Sequence, residues 1–255
     1  MQGPIKYYLG DSKHAEGIHI ANGQMLGTSH INKFGYTGTG VNGSATIWDG
    51  VAVNGNSIYT YLTTPVTLKV ESDDPDDDGA TYLIEGLDGD YNPVSEEITT
   101  SPTGGATGGE GTGTQLFLRV FRARMTSNGG VNDGNVSIRT NDEDDALLAY
   151  IKEDNGQTLM SIYTVPAGKT AYLIKLHGSV DKSNADVKFM FFETPFGGSR
   201  NIKHMSGTQG GNPIDYDYPV PLRFEEKTDL EMRILTSASC GAGGIFDLIL
   251  VDNPS

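Results

Sequence analysis

One stretch of the chain has the spacing of a calcium-binding loop. The pattern D-x-D-x-D-G-x5-E, in which carboxylate oxygens ligate the ion and the glycine makes a sharp turn, is satisfied by Asp74, Asp76, Asp78, Gly79 and Glu85. That loop also needs a helix on each side, whereas the flanks Val66–Glu71 and Ala80–Glu85 alternate as strands do. We therefore predict a hairpin turn with a solvated acidic tip. Calcium held by Asp74, Asp76 and Asp78 in a turn of another kind remains the second possibility.

Patterns typical of an enzyme are weaker. Gly168–Thr170 resembles the end of a phosphate-binding loop, but Tyr163 stands where the first glycine is required, and a strand pattern follows instead of a helix. The sequence contains neither G-x-S-x-G nor H-E-x-x-H. His177 and Ser179 are near neighbours, but two common residues do not define a catalytic triad. We predict no enzymatic activity, no catalytic residues and no cofactor.

Histidine and cysteine give little indication of a metal centre or a disulfide. His14, His19 and His30 have spacings that fit neither a zinc finger nor a helical i, i+4 pair. Cys240 is the single cysteine, so no disulfide can form within the chain. It stands beside a glycine-rich turn, where we expect a small buried residue and not a reactive nucleophile.

The net charge of the chain limits the kinds of molecule it can bind. The formal net charge is −15, which disfavours binding to nucleic acid and to anionic membranes and suits docking onto a basic or mixed-charge protein surface. Arg119, Arg122 and Arg124 stand out in so acidic a chain, and we expect them to pair either with the Asp-rich turns or with carboxylates of a partner. Met1–Tyr8 lacks the apolar core of a secretory signal, and no apolar run is long enough to cross a bilayer.

The elements that must position these residues are short strands. Apolar-rich runs separated by Gly, Pro, Asn and Asp turns continue from Ala45 to Val251, with strand signals in the order 46–49, 57–62, 66–71, 80–85, 94–100, 115–124, 135–140, 146–151, 171–177, 187–193, 227–235 and 246–251 and a break at Pro219–Pro221. This pattern predicts an all-β protein with an antiparallel β-sandwich or jelly-roll fold.

The chain divides by composition into three parts. Residues 1–43 are glycine-rich without a lasting period, and we expect an extended N-terminal arm. A turn-like stretch at Ser127–Gly134 suggests a boundary between a β-sandwich module at 44–127 and a jelly-roll-like module at 128–255. One continuous sandwich is the alternative.

The order of several motifs resembles structural proteins of tailed bacteriophages, notably marine ones. From about Lys33 to Val251 the resemblance is carried by Ile47-Trp48-Asp49, Glu71-Ser72-Asp73, Ile84-Glu85-Gly86-Leu87-Asp88, Val94-Ser95-Glu96, Phe117–Val120, Tyr163–Ala171 and Glu226–Leu230. It implies a virion component with a β-sandwich or jelly-roll fold, no enzymatic activity and no catalytic residues. It leaves open whether the protein sits on the head, the neck or the tail.

Three functional hypotheses follow. The first is a capsid decoration (cement) protein on the capsid exterior that binds the major capsid protein and stabilises its shell, as a homo-oligomer, with a trimer the plausible form. The alternative is a tail or appendage protein that binds a host receptor or glycan, for which the aromatic candidates are Trp48, Tyr59, Tyr91 and Tyr216. A carbohydrate-active enzyme is the least favoured hypothesis.

Overall fold

The computed structural model describes residues 13–38, 40–53, 58–102, 108–181, 186–209 and 211–254. Within them lie one α-helix, α1 (Lys13–Ala21), and three short 3-10 helices at Asp49–Ala52, Pro75–Asp77 and Asn128–Gly130. The strands are β1 (Thr28–Tyr36), β2 (Val41–Thr46), β3 (Leu68–Ser72), β4 (Thr81–Leu87), β5 (Pro93–Thr99), β6 (Glu110–Thr112), β7 (Arg119–Met125), β8 (Val136–Thr140), β9 (Leu147–Ile151), β10 (Ile162–Thr164), β11 (Lys169–Val180), β12 (Val187–Thr194), β13 (Asn201–Thr208), β14 (Ile214–Phe224), β15 (Asp229–Cys240) and β16 (Ala242–Asp252).

Two sheets made from both ends of the chain form one sandwich, which we name the terminal sandwich. The first sheet has the order β1-β16-β11-β14, and the second has the order β10-β15-β12-β13, with β2 also paired to β15. Inward-facing residues alternate along these strands, as Phe246, Leu248 and Leu250 do on β16, and they meet Phe189 and Phe191 of β12 in one core.

The strands between β2 and β10 form a second sandwich, which we name the inserted sandwich. Its sheets have the orders β6-β3-β8-β9 and β5-β4-β7. Leu68, Val70 and Ile138 on one sheet pack against Tyr82 and Ile84 on the other, and all five are fully buried. Every strand pair in both sandwiches is antiparallel. The predicted all-β, antiparallel sandwich or jelly-roll class is confirmed.

The division of the chain differs from the one expected. Strands β8 and β9, beyond the boundary predicted at 127/128, belong to the same sheet as β3, which lies before it. The described part of the predicted arm contains α1, β1 and the start of β2, and nine residues of β1 pair with β16. The reason is that β1, in which polar residues are frequent, lacks a strong local strand signal and gains its order from a long-range partner. Residues 1–12 of that arm lie outside the described residues.

Two local expectations also change. Tyr59–Leu62 is not a strand, although Tyr59 and its neighbours are packed between the two sandwiches. The predicted break at Pro219–Pro221 lies inside β14, which is one of the two edge strands of its sheet. The pairing of β14 with β11 shifts between Leu222 and Asp217, so neither proline has to donate a backbone hydrogen bond to β11.

Among the described residues no helix is long and apolar enough to cross a membrane.

Candidate functional site

Of the three aspartates of the predicted calcium loop, Asp74 has a structural role in the turn, whereas Asp76 and Asp78 are exposed. Asp74 caps the short helix at Pro75–Asp77 by accepting a hydrogen bond from the Asp76 amide, 2.9 Å between Oδ1 and N. Gly79 has a φ of +77°, which is the left-handed conformation that the turn requires of a glycine. Glu85 lies along β4, beside Arg122. In the described part of the chain no group of three or more His, Cys, Asp or Glu side chains could hold a metal ion.

The residue that organises this turn is Asp77, which the sequence analysis did not single out. Its buried carboxylate accepts from the Ser72 hydroxyl at 2.6 Å and from the amides of Asp133 and Gly134, each at 3.0 Å. Three hydrogen bonds compensate the desolvation of the carboxylate. Asp77 therefore ties the acidic turn to the loop before β8. Its place in an unbroken Asp run gave no sequence signal, because only tertiary structure decides which Asp turns inward.

Two of the three prominent arginines pair with carboxylates outside the Asp-rich turns. Arg119 pairs with Asp229, outside the Asp-rich turns, with Nε–Oδ1 and Nη2–Oδ2 distances of 2.8 and 3.0 Å. Arg122 lies 3.7 Å from Glu85, and no ion pair of Arg124 is found among the described residues. The cations that do reach an acidic turn are Lys69 and Arg139, which contact Asp145 at 2.8 and 3.4 Å.

The Arg119–Asp229 pair lies in a polar seam between the two sandwiches. Asp229 also accepts from the Thr164 hydroxyl at 2.6 Å, and Arg119 donates to the Leu62 carbonyl at 2.8 Å. Burial alone would lower the pKa of Arg119, but the hydrogen bonds and the charge of Asp229 outweigh it and raise that pKa. The guanidinium therefore stays charged, and the seam joins β7 of the inserted sandwich to β15 of the terminal one.

A second buried ion pair follows on the same strand. Glu231 accepts two hydrogen bonds from Arg233, at 2.6 and 2.7 Å, and one from the Thr46 hydroxyl. The Arg233 guanidinium lies 4.9 Å from the centre of the Phe192 ring. Glu231 and Arg233 of β15 therefore neutralise each other, and the Phe192 ring packs against the guanidinium.

The terminal sandwich carries an exposed apolar surface that sequence reasoning missed. Cross-strand register places one set of side chains on the outer side of β12, β13 and β15, which we name the β12–β13 face: Lys188, Met190, Phe192, Ile202, Met205, Arg233 and Leu235, with Arg200 beside Phe192. Ile202 is 52% exposed, Met205 58% and Leu235 40%. Strand β13 was not predicted, because its apolar residues are too few and too widely spaced for a period of two to stand out.

The aromatic candidates for glycan binding divide into buried and exposed residues. Trp48, Tyr59 and Tyr91 are buried and cannot present a ring face at the surface. Tyr216 is 45% exposed and packs against His204, with 4.9 Å between ring centres. Burial lowers the pKa of His204. Only Tyr216 of the four is therefore placed to stack on a ligand.

The remaining predicted features have structural roles. Cys240 is a buried free thiol within the core of the terminal sandwich, as expected of a small residue near a turn. His19 contacts Gln24, and His30 lies 3.3 Å from Asp247, so these two histidines have separate partners. The side chain of His14 lies outside the described residues.

Comparison with known proteins gives little. No protein-family model matches the chain, and no curated protein matches it. A solved structure of the infectious bursal disease virus VP2 subviral particle is 10% identical, over 89% of this chain and 77% of that one, with a TM-score of 0.19. The structure of the Gt strain of infectious bursal disease virus is 11% identical over the same shares, with a TM-score of 0.18. At these values the likeness carries no conclusion about fold or function.

Proposed function

We propose that this chain is a structural protein of a virus particle of the tailed-phage type, and specifically a capsid decoration protein that binds the major capsid protein from outside and stabilises the shell. The observation that carries the proposal is the β12–β13 face, where the apolar side chains of Ile202, Met205 and Leu235 are exposed on one side of a sheet. Contiguous apolar surface of this kind on a β-sandwich marks a protein–protein contact. The protein acts there without catalysis and without a cofactor.

Charge indicates the chemistry of the partner surface. The chain has a net charge of −15, yet Lys188 and Arg200 of the β12–β13 face are exposed cations. Arg233 is buried and its charge is neutralised by the buried Glu231. Lys188 and Arg200 form no ion pair with other described residues. The complementary surface on the capsid shell is therefore apolar with carboxylates at its margin, while the acidic remainder of the chain faces solvent.

The seam between the sandwiches supports the same role. A protein that reinforces a shell has to transmit force without hinging, and a two-point buried ion pair between Arg119 and Asp229 resists relative motion of the two sandwiches. Copies arranged around a local symmetry axis, as a trimer, would present several such faces to the shell at once.

Cryo-EM of the virus particle tests the location. We expect density for this chain on the outer surface of the head, with the β12–β13 face toward the major capsid protein. A reconstruction of the head without such density would overturn the proposal.

A binding assay tests the face. Purified protein is co-sedimented with shells assembled from the major capsid protein alone. We expect Met205→Asp to reduce bound protein at least about tenfold, because it buries an unpaired carboxylate at the contact. Leu116→Asp is the matched control, since Leu116 is 50% exposed on the inserted sandwich. Equal binding by both variants and the unchanged protein would contradict a role for this face.

The exposed Tyr216 favours one alternative, a tail or appendage protein that binds a host receptor or glycan. A phage lacking this gene distinguishes the two. Heads that remain as stable as before while adsorption to the host is lost would support the alternative, whereas fragile heads with normal adsorption would support decoration.

A further inference from the structure

A lysine occupies a core-facing position at the seam. Along β1 the burial alternates, and Lys33 is on the inward side together with Ile31 and Gly35. The side chain of Lys33 is almost completely removed from solvent, with 8% of the residue exposed. Its ammonium group or amine donates a hydrogen bond to the Phe121 carbonyl and lies 5.7 Å from the centre of the Phe121 ring. Buried lysines without a carboxylate partner are uncommon in folded proteins.

Lys33 lines a cavity of about 360 Å³ between the two sandwiches. The wall also includes Glu85, Arg122, Gln157 and Thr158 from the inserted sandwich. Arg122 donates to the Gln157 side chain at 3.1 Å and lies 3.7 Å from Glu85. The cavity is of a size that accommodates a small organic molecule.

The surroundings favour the neutral amine. Burial, and next the positive charge of Arg122, lower the pKa of Lys33 from 10.5 to about 7, against the smaller opposing effects of Glu85 and Asp49. The other titratable groups of the cavity wall are His30 on β1 and Tyr163 on β10. A neutral amine keeps a nucleophilic lone pair, which the ammonium form of an ordinary exposed lysine lacks at neutral pH.

We propose that Lys33 is a selectively reactive amine that condenses with small aldehydes entering this cavity. The nitrogen lone pair attacks the carbonyl carbon, and a C–N bond forms as the C=O π bond breaks. The resulting carbinolamine loses its oxygen as water, which carries away both protons of the original amine, and leaves a C=N imine. No oxidant or reductant is needed for this step. The inference does not depend on the proposed docking role.

Competitive labelling of the intact protein tests the proposal. The probe is limiting acetaldehyde with cyanoborohydride, which reduces each imine to a stable N-ethyl lysine, and peptide mass spectrometry then gives the rate at each lysine. At pH 7 about half of the Lys33 side chains are neutral, against about one in 2,500 for a lysine with a pKa of ~10.4. The lower nucleophilicity of a less basic amine and the enclosed site offset part of this advantage.

We expect Lys33 to react about tenfold faster than the exposed Lys152 and Lys188 at pH 7. Its rate should level off above pH 7, whereas the rate expected of an amine with an ordinary lysine pKa keeps rising with pH. A Lys33 rate at pH 7 no higher than that of Lys152, or one that rises in parallel with it up to pH 9, would overturn the proposal.

A matched pair of variants tests the role of the neighbouring cation. Arg122→Gln removes a positive charge and frees Glu85, and both changes favour the ammonium form of Lys33, so we expect its labelling at pH 7 to fall several-fold. Arg124→Gln removes the same charge two residues along β7 and should leave the Lys33 rate unchanged. Equal Lys33 rates in the two variants would show that Arg122 does not set the reactivity.

Discussion

Arg119 and Asp229 lie 110 positions apart in the chain and form a two-point ion pair between the inserted and terminal sandwiches. Both side chains are about nine-tenths buried. The guanidinium also lies 5.1 Å from the ring centre of Tyr61 and 5.6 Å from that of Tyr91. The pair thus links β7 of the inserted sandwich directly to β15 of the terminal sandwich.

Removing one partner of this pair should be strongly destabilising. We expect Arg119→Met to lower the free energy of unfolding by about 3–5 kcal/mol, because Asp229 is left buried without a counter-charge. Urea denaturation measures the change. Arg119→Met combined with Asp229→Leu should recover much of the loss, and Arg122→Met, at an exposed ion pair, should change stability by less than about 1 kcal/mol. A small effect of Arg119→Met alone would show that the pair is not important for stability.

Asp77 should matter far more for stability than its neighbours in the acidic run. Asp77→Asn replaces one of two accepting oxygens by a donor that faces the Asp133 and Gly134 amides or the Ser72 hydroxyl, so we expect a loss of about 2–3 kcal/mol. Asp76→Asn is the matched control, since Asp76 is exposed and contributes its backbone amide to the turn. Similar denaturation midpoints for the two variants would contradict the assigned role of Asp77.

Lys33 should make stability depend on pH between about 7 and 10. Its pKa is lowered in the folded protein from 10.5 to about 7, so in this window the unfolded chain binds more protons and the free energy of unfolding rises with pH. In Lys33→Met this contribution is absent. We expect the stability difference between the two proteins to change by up to about 1.4 kcal/mol per pH unit, in favour of the lysine form as pH rises. Denaturation curves at pH 7.5, 8.5 and 9.5, values chosen to lie inside that window, check this, and parallel pH profiles would refute it.

Turn chemistry and strand alternation were readable in the sequence because both depend on near neighbours. The turn at Gly79, strand β3 and strand β5 lie within a residue or two of their predicted positions. Strands β1 and β13 were missed since glycine and polar residues dilute their alternation. The residue types at 57–62 predict a strand, whereas residues 59–62 lie between the two sandwiches without a strand partner.

The amino-acid sequence by itself determined that this protein is all-β, acidic, rich in tight turns and without a possible intrachain disulfide. Only the tertiary structure decided that β1 and β2 join the last strands of the chain, that Arg119 meets Asp229, and that Lys33 faces a cavity. The physical reason is the distance along the chain over which each interaction acts. Backbone propensity and the alternation of apolar residues depend on a few neighbouring residues. The pairing of β1 with β16 and the ion pair of Arg119 with Asp229 join residues a hundred or more positions apart, and these contacts depend on how the whole chain packs.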